Sequence, residues 1–198
     1  WIESDVVILN AEENRREDFA ALAALGVACF VTEPKTIRDG MRLIARLGAL
    51  VGRDAAAAAI AAAQERRVDA TLAAVAGRRP VRYFCPIWRK PWMAFNADTY
   101  AHDMLRAAGG ANVCGAAAER YPTVALEEVA AARPEAVLLP DEPYRFGERD
   151  LPALAPLADT PAARAGRVRF VDGKALAWYG PRIADGLEAF ARIFASAD

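Results

Sequence analysis

The sequence predicts an α/β protein in which two blocks of alternating strands and helices are joined by one long helix. Three observations carry the prediction. Short apolar runs alternate with amphipathic helical patterns, the signature of βα units around a parallel sheet. The stretch Asp54 to Ala76 holds neither glycine nor proline and separates the two blocks. A hydrophobic share of 55% over 198 residues is enough for one good core or two small ones.

The first block opens with strand Asp5–Leu9 and a helix from Arg15 to Leu25, closed by Gly26. Strand Val27–Val31 leads into a helix over Thr36–Leu50, where Ile37, Met41, Ile44 and Leu47 keep helical spacing. The long helix runs from Asp54, an N-cap residue by type, to Ala76, with Gly77 placed to end it. At ~1.5 Å per residue it is about 35 Å long. Ile60, Val68, Leu72 and Val75 give it a narrow apolar stripe, and alanine fills much of the rest. Such a helix reads as a stiff connector.

The second block reads as strand Val81–Pro86, helix Asp98–Ala108, a short segment Ala111–Cys114, helix Leu126–Ala132 and strand Ala136–Pro140. Short helical pieces are expected in the Pro-rich stretch Asp141 to Pro161. Strand Arg167–Val171 then turns at Asp172-Gly173, and the last helix, Arg182 to Ala195, opens on Gly180-Pro181.

Composition excludes several function classes. A net charge of −1, with 25 basic against 26 acidic residues, gives no electrostatic case for nucleic acid. No apolar run approaches the roughly 18 residues of a membrane span. Cys29, Cys85 and Cys114 are far apart in sequence, and with His102 as the one histidine no zinc-type ligand pattern forms. Cys29 and Cys85 lie in apolar runs and are expected to be buried. Trp1-Ile-Glu-Ser-Asp5 enters the first strand with no leader pattern, as a mature fragment or a chain cut within a domain would. Neither GxGxxG after a strand, nor GxxxxGK[ST], nor GxSxG occurs.

The segment Cys85-Pro-Ile-Trp-Arg-Lys-Pro-Trp-Met-Ala-Phe carries half of the protein's tryptophans, Trp88 and Trp92, around Arg89 and Lys90. It follows a strand, where aromatic and cationic groups suit a flat, partly apolar, anionic ligand. The alternative is a loop folded back onto its own core. Tyr144, Arg145 and Phe146 also follow a strand, as do Trp178, Tyr179 and Arg182, and Tyr121 lies in a loop. In a parallel sheet these loops open at one edge, which favours a binding cleft over core packing. Glu12, Glu13, Glu17 and Asp18 after the first strand, and Asp141, Glu142, Glu148 and Asp150 in the second block, read as solvated charge at helix starts.

The order of these features resembles a known family. Asp5-Val-Val-Ile-Leu-Asn-Ala-Glu-Glu-Asn14, Leu25-Gly-Val27 and Thr32-Glu-Pro34 are similar to the amino-terminal lobe of the cobalamin, haem and siderophore substrate-binding proteins of ABC importers. Asp54–Ala76 resembles their single backbone helix. Asp98-Thr-Tyr-Ala-His-Asp-Met-Leu-Arg-Ala-Ala-Gly-Gly-Ala-Asn-Val113, Tyr121-Pro-Thr-Val-Ala-Leu-Glu-Glu-Val129, Pro134-Glu-Ala-Val-Leu-Leu139 and Trp178-Tyr-Gly-Pro-Arg-Ile183 resemble their carboxyl-terminal lobe.

The resemblance implies two Rossmann-like βα lobes joined by one long rigid α-helix, the amino-terminal lobe being incomplete: a partial lobe over 1–53, the backbone helix over 54–77 and the carboxyl-terminal lobe over 78–198. It implies a monomeric, non-enzymatic protein in the periplasm, or anchored outside the cytoplasm by a leader not present here. That protein has no cofactor or metal site of its own, captures cobalamin or an iron chelate, and delivers it to a permease. Trp88, Trp92, Tyr121, Trp178 and Tyr179 would pack on the ligand, and Arg89, Arg145 and Arg182 would meet its anionic groups. Glu17 and Glu148 match the family's permease-docking carboxylates, with Glu13 and Glu142 as near alternatives. A single imidazole, His102, favours a complete, already-ligated chelate over axial haem ligation. The rival readings are an α/β enzyme acting on an anionic aromatic substrate through Asp98, His102 or Cys85, and a cytoplasmic interaction module of the same fold.

Overall fold

The computed structural model describes residues 4–196, so the opening at Trp1 lies outside the described residues. The chain divides into two compact units, one ending at Pro34 and one beginning at Lys35.

In the first unit, strands β1 (Val7–Asn10) and β2 (Cys29–Thr32) pair in parallel, with helix α1 (Arg16–Ala24) between them in sequence. Both strands begin two residues later than their apolar runs suggest. Pairing rather than apolarity sets their ends: Val7 N–H donates to Ala28 O at 2.9 Å, and Ala11 N–H to Thr32 O at 2.9 Å. Gly26, at φ 75°, ends α1 as expected. Val27 N–H reaches back to Leu22 O and Gly26 N–H to Ala23 O, the paired bonds of a Schellman motif. Cys29 is half-buried rather than buried, because within these two strands only Leu9 and Thr32 are enclosed.

The second unit holds helices α2 (Ile37–Leu50) and α3 (Asp54–Val75), then strands β3 (Val81–Phe84), β4 (Gly110–Asn112), β5 (Ala136–Pro140) and β6 (Val168–Val171). Among them run α4 (Tyr100–Ala107), α5 (Leu126–Ala131), a 3-10 helix over Glu148–Leu157, α6 (Pro161–Arg164), α7 (Gly173–Ala177) and α8 (Ile183–Ala195). The four strands form one parallel sheet in the order β4-β3-β5-β6. Alternation along the strands fills both faces. Val81, Tyr83, Ala136 and Leu138 enter one core with α4, α8 and Val68 of α3. Phe84, Val137 and Leu139 enter the other with Leu126, Leu154, Leu157 and Ala162.

α2 starts with a reciprocal cap: Thr36 Oγ1 accepts from Asp39 N–H at 3.0 Å, and the Asp39 carboxylate accepts from Thr36 N–H at 3.0 Å. In α3 the N-cap is Arg53, and Asp54 lies in the first turn, where its charge meets the positive end of the helix. The expected apolar stripe holds at Val68, which is buried, and at Leu72, which packs on the core, and is corrected at Ile60, which is 40% exposed; Ala57 and Gln64 are buried as well. The reason is close packing of α3 on α2 and α8: a methyl group on Gly48 would lie 2.2 Å from Ala57 Cβ, and Gln64 Oε1 accepts from Ala184 N–H at 2.8 Å.

β3 ends at Phe84 rather than Pro86, since β4 and β5 pair with it no further and Pro86 has no N–H to offer. The Pro-rich stretch forms short helical pieces, Pro152 and Pro156 keeping the first of them in the 3-10 form. Asp172-Gly173 opens α7 instead of forming a simple turn, the Asp172 carboxylate accepting from Lys174 N–H at 2.8 Å. α8 begins one residue late, with Arg182 as N-cap and Pro181 before it.

Candidate functional site

The strand order contains a switch point. From β3 the chain crosses to β4 on one side, and from β5 it crosses to β6 on the other. The crevice beyond the carboxyl ends of β3 and β5 is therefore left open by the connections themselves, and ligands of open α/β sheets bind there. The loops after β3 and β5 hold Trp88, Arg89, Trp92, Tyr144, Arg145 and Phe146.

Four of these form one aromatic group. Trp88 meets Tyr144 edge-on at 5.6 Å, Tyr144 meets Phe146 at 4.6 Å, and Phe146 stacks on Trp92 at 5.8 Å. Phe146 is buried, Trp92 half-buried and Trp88 43% exposed, so the group runs from the core to the surface. Backbone bonds fix the Trp88 loop: Ile87 N–H donates to Met93 O at 2.8 Å, and Met93 N–H to Trp88 O at 3.1 Å. Val124 N–H donates to Trp92 O at 2.9 Å, which ties in the loop after β4.

Beneath the aromatic group lies Asp150, fully buried. Its carboxylate pairs with the Arg89 guanidinium and accepts from Tyr144 Oη–H at 3.1 Å and Gly147 N–H at 3.0 Å. Burial alone would push this carboxyl up; the Gly147 N–H, Arg89 and Tyr144 outweigh it and hold it below its ordinary value. Arg89 is raised, chiefly by its hydrogen bond to Asp150. The guanidinium expected to meet a ligand anion is thus engaged with Asp150.

A second group follows β6. Lys174 Nζ lies 5.3 Å and Arg182 Cζ 5.7 Å from the ring centroid of Trp178, which is 51% exposed. Lys174 Nζ is also 4.0 Å from Glu142. The loops after β5 and β6 touch closely: Gly173 N–H donates to Asp141 Oδ1 at 2.7 Å, and a Cβ on Gly173 would lie 2.6 Å from Glu142 N. Tyr179 turns to the core instead, edge-on to Tyr100 at 5.3 Å. Tyr121 and Arg145 are exposed. Of the carboxylates, Glu148 is exposed at the start of the 3-10 helix and Glu142 is half-buried. Glu17 is exposed in the first turn of α1 and Glu13 in the loop before it.

Asp150 and Lys174 join these groups without having been singled out as site residues, and Tyr144, named with its strand-following loop, joins them through its hydroxyl bond to Asp150. The one signal for Asp150 was its position three residues after Gly147, the spacing of a helix-start box. The groups named for catalysis are occupied elsewhere. Asp98 bonds Lys35 and Arg120 at 2.8–2.9 Å, the lysine's bond leading in lowering its pKa. His102 is lowered, mainly by burial, with its Nδ1 3.4 Å from Asn112 Nδ2. Burial pushes the Cys85 thiol far up and that of Cys114 to about 11, so Cys85 is a protonated core side chain. Among the described residues no group of three or more His, Cys, Asp or Glu is placed to hold a metal ion, and no helix is long and apolar enough to cross a membrane.

Comparison with known proteins gives a consistent picture. The profile of a family described as periplasmic binding protein matches residues 5–175. Three solved structures superpose over 98% of the chain with a TM-score of 0.85. One is the periplasmic vitamin B12 binding protein BtuF of Vibrio cholerae, 20% identical and covered over 74% of its length. Another is the periplasmic heme-binding protein RhuT from Roseiflexus sp. RS-1, 24% identical and covered over 76%. The third is the periplasmic heme-binding protein BhuT in complex with two hemes, 26% identical and covered over 75%. No curated protein matches the chain.

Proposed function

Because the chain belongs to the periplasmic binding protein family, we propose that it captures a metal-containing compound outside the cytoplasm and delivers it to an ABC permease. The ligand classes are those of the similar structures, a corrin or a haem, together with ferric chelates. Residues 78–198 act as the carboxyl-terminal lobe, 54–77 as the backbone helix and 1–53 as part of the amino-terminal lobe. The role is binding for transport, not catalysis.

One observation supports the reading most. The switch point between β3 and β5 carries a rigid aromatic group ending in exposed Trp88. A flat macrocycle or chelate gains stacking energy there without reordering the loop, since backbone bonds already hold it. Trp88 and Trp92 are assigned to the ligand floor, with Tyr121 as an outer contact and Tyr179 backing the loop after β6 from the core; Arg145 and Arg182 meet anionic groups, and Arg89 holds the floor through Asp150. Glu17 and Glu148, or Glu13 and Glu142, are assigned to permease docking.

The test is absorbance and tryptophan-fluorescence titration of the chain with cobalamin, haemin and ferric siderophores. Saturable quenching by one of them is expected, and Trp88→Ala should weaken it. No response to any of the three would overturn the ligand class.

A further inference from the structure

We infer that Trp178 holds cations rather than ligand, and that the loop after β6 thereby selects ligands bearing carboxylates along one edge; this rests on the importer reading above. The indole is half exposed, yet Lys174 and Arg182 both lie within the ~6 Å at which a ring face attracts a cation. All three residues are fixed by helix ends: Lys174 in α7, Trp178 as its C-cap, Arg182 as the N-cap of α8. The nearby carboxylates are engaged elsewhere. Asp141 accepts from Gly173 N–H, Asp172 from Lys174 N–H, and Asp185 from Arg67. Glu142 reaches Lys174 only at 4.0 Å, and among the described residues no carboxylate pairs with Arg182. Arg182 is therefore a guanidinium held in place by an aromatic ring, with its hydrogen-bonding edge unclaimed by an anion.

At the switch point Arg89 is paired with buried Asp150, and Trp88 and Tyr144 present aromatic surface beside it. After β6, Arg182 is a positive charge seated on a ring and without a carboxylate partner among the described residues. A ligand with neutral amides around its rim gains nothing from Arg182. A flat apolar body with carboxylates on one side matches both parts, because a guanidinium accepts a carboxylate through two parallel hydrogen bonds.

Haemin and its dimethyl ester share one ring and differ in the two carboxylates, which makes them the probes. With the full chain, haemin is expected to bind at least about tenfold more tightly than the ester, the scale of one charge-assisted hydrogen bond. Arg182→Ala should remove most of haemin's advantage over the ester and leave the ester unchanged. Trp178→Leu should act likewise, by releasing the cations. Equal binding of haemin and ester by the wild type, or a Trp178→Leu loss shared equally by both, would overturn the proposal and leave the importer reading standing. Failure of haemin, its ester, cobalamin and ferric siderophores alike to bind would overturn that reading as well.

Discussion

Asp150 joins the two loops of the switch point from inside the protein. It takes hydrogen bonds from Arg89 of the β3 loop and from Tyr144 and Gly147 of the β5 loop, so the loop that carries Trp88 and the loop that carries Tyr144 are held to one buried charge. Its carboxyl is depressed in the folded state, against an unfolded value of about 3.9. The sign follows. The stabilisation is fully present above that value and disappears as pH falls through the folded one. Melting temperature measured from pH 7 to pH 3 should therefore fall in acid for the wild type. Asp150→Asn should be less stable at neutral pH and fall less steeply, and the difference between the curves isolates Asp150 from the other depressed carboxyls, Asp18, Asp39, Asp98 and Glu135. An Asp150→Asn protein as stable as wild type at pH 7 would sink the idea. Surface charge acts differently at this scale. Glu17→Ala with Glu148→Ala should leave ligand titrations unchanged and slow transport, because exposed carboxylates steer docking more than they add affinity; transport at the wild-type rate would remove both residues from the docking assignment.

At the scale of elements, α3 shows what a sequence pattern conveys and what it omits. Its ends were legible because alanine propensity and Gly77, at φ 78°, act locally. Its buried face was legible only at Val68 and Leu72, because the rest of that face is chosen by partners distant in sequence. Gln64 is buried because Ala184 N–H at the start of α8 needs an acceptor, and Ile60 is exposed because α2 and α8 pack elsewhere on the helix. Gln64→Ala should cost on the order of 1–3 kcal/mol, the penalty of an orphaned buried donor. Ile60→Ala should stay within about 0.5 kcal/mol. Urea unfolding of the two variants decides the matter, and the reverse ranking would refute it. β5 was read to the residue, since a central strand buried on both faces is a continuous apolar run. The aromatic half of the site was legible for a similar reason, tryptophans after a strand being conspicuous. Asp150 and Lys174 were not, because a buried ion pair and a cation over a ring are made by folding, and in the sequence both look like surface charge. Gly173 belongs here too: its missing side chain lets the loop after β6 approach Glu142 N. Gly173→Ala should destabilise by about 1–3 kcal/mol, as overpacking against backbone does.

The whole molecule is unevenly stabilised. From Lys35 onward, cores fill both faces of a four-stranded sheet, with Tyr83, Phe84 and Leu138 wholly enclosed. Up to Pro34, α1 has no buried residue, Leu25 is 79% exposed, and two parallel strands bury little more than Leu9 and Thr32. Two strands without a filled face are marginal, and local stability follows buried apolar contact. Amide hydrogen exchange should therefore open β1 and β2 at least about tenfold faster than β3 and β5, through local openings that leave the larger unit intact. Equal protection in all four strands would show the two units unfolding as one and would overturn this ordering. Added ligand should slow exchange in the loops after β3 and β5, where it stabilises only the folded form, by an amount that rises with the ratio of its concentration to its Kd.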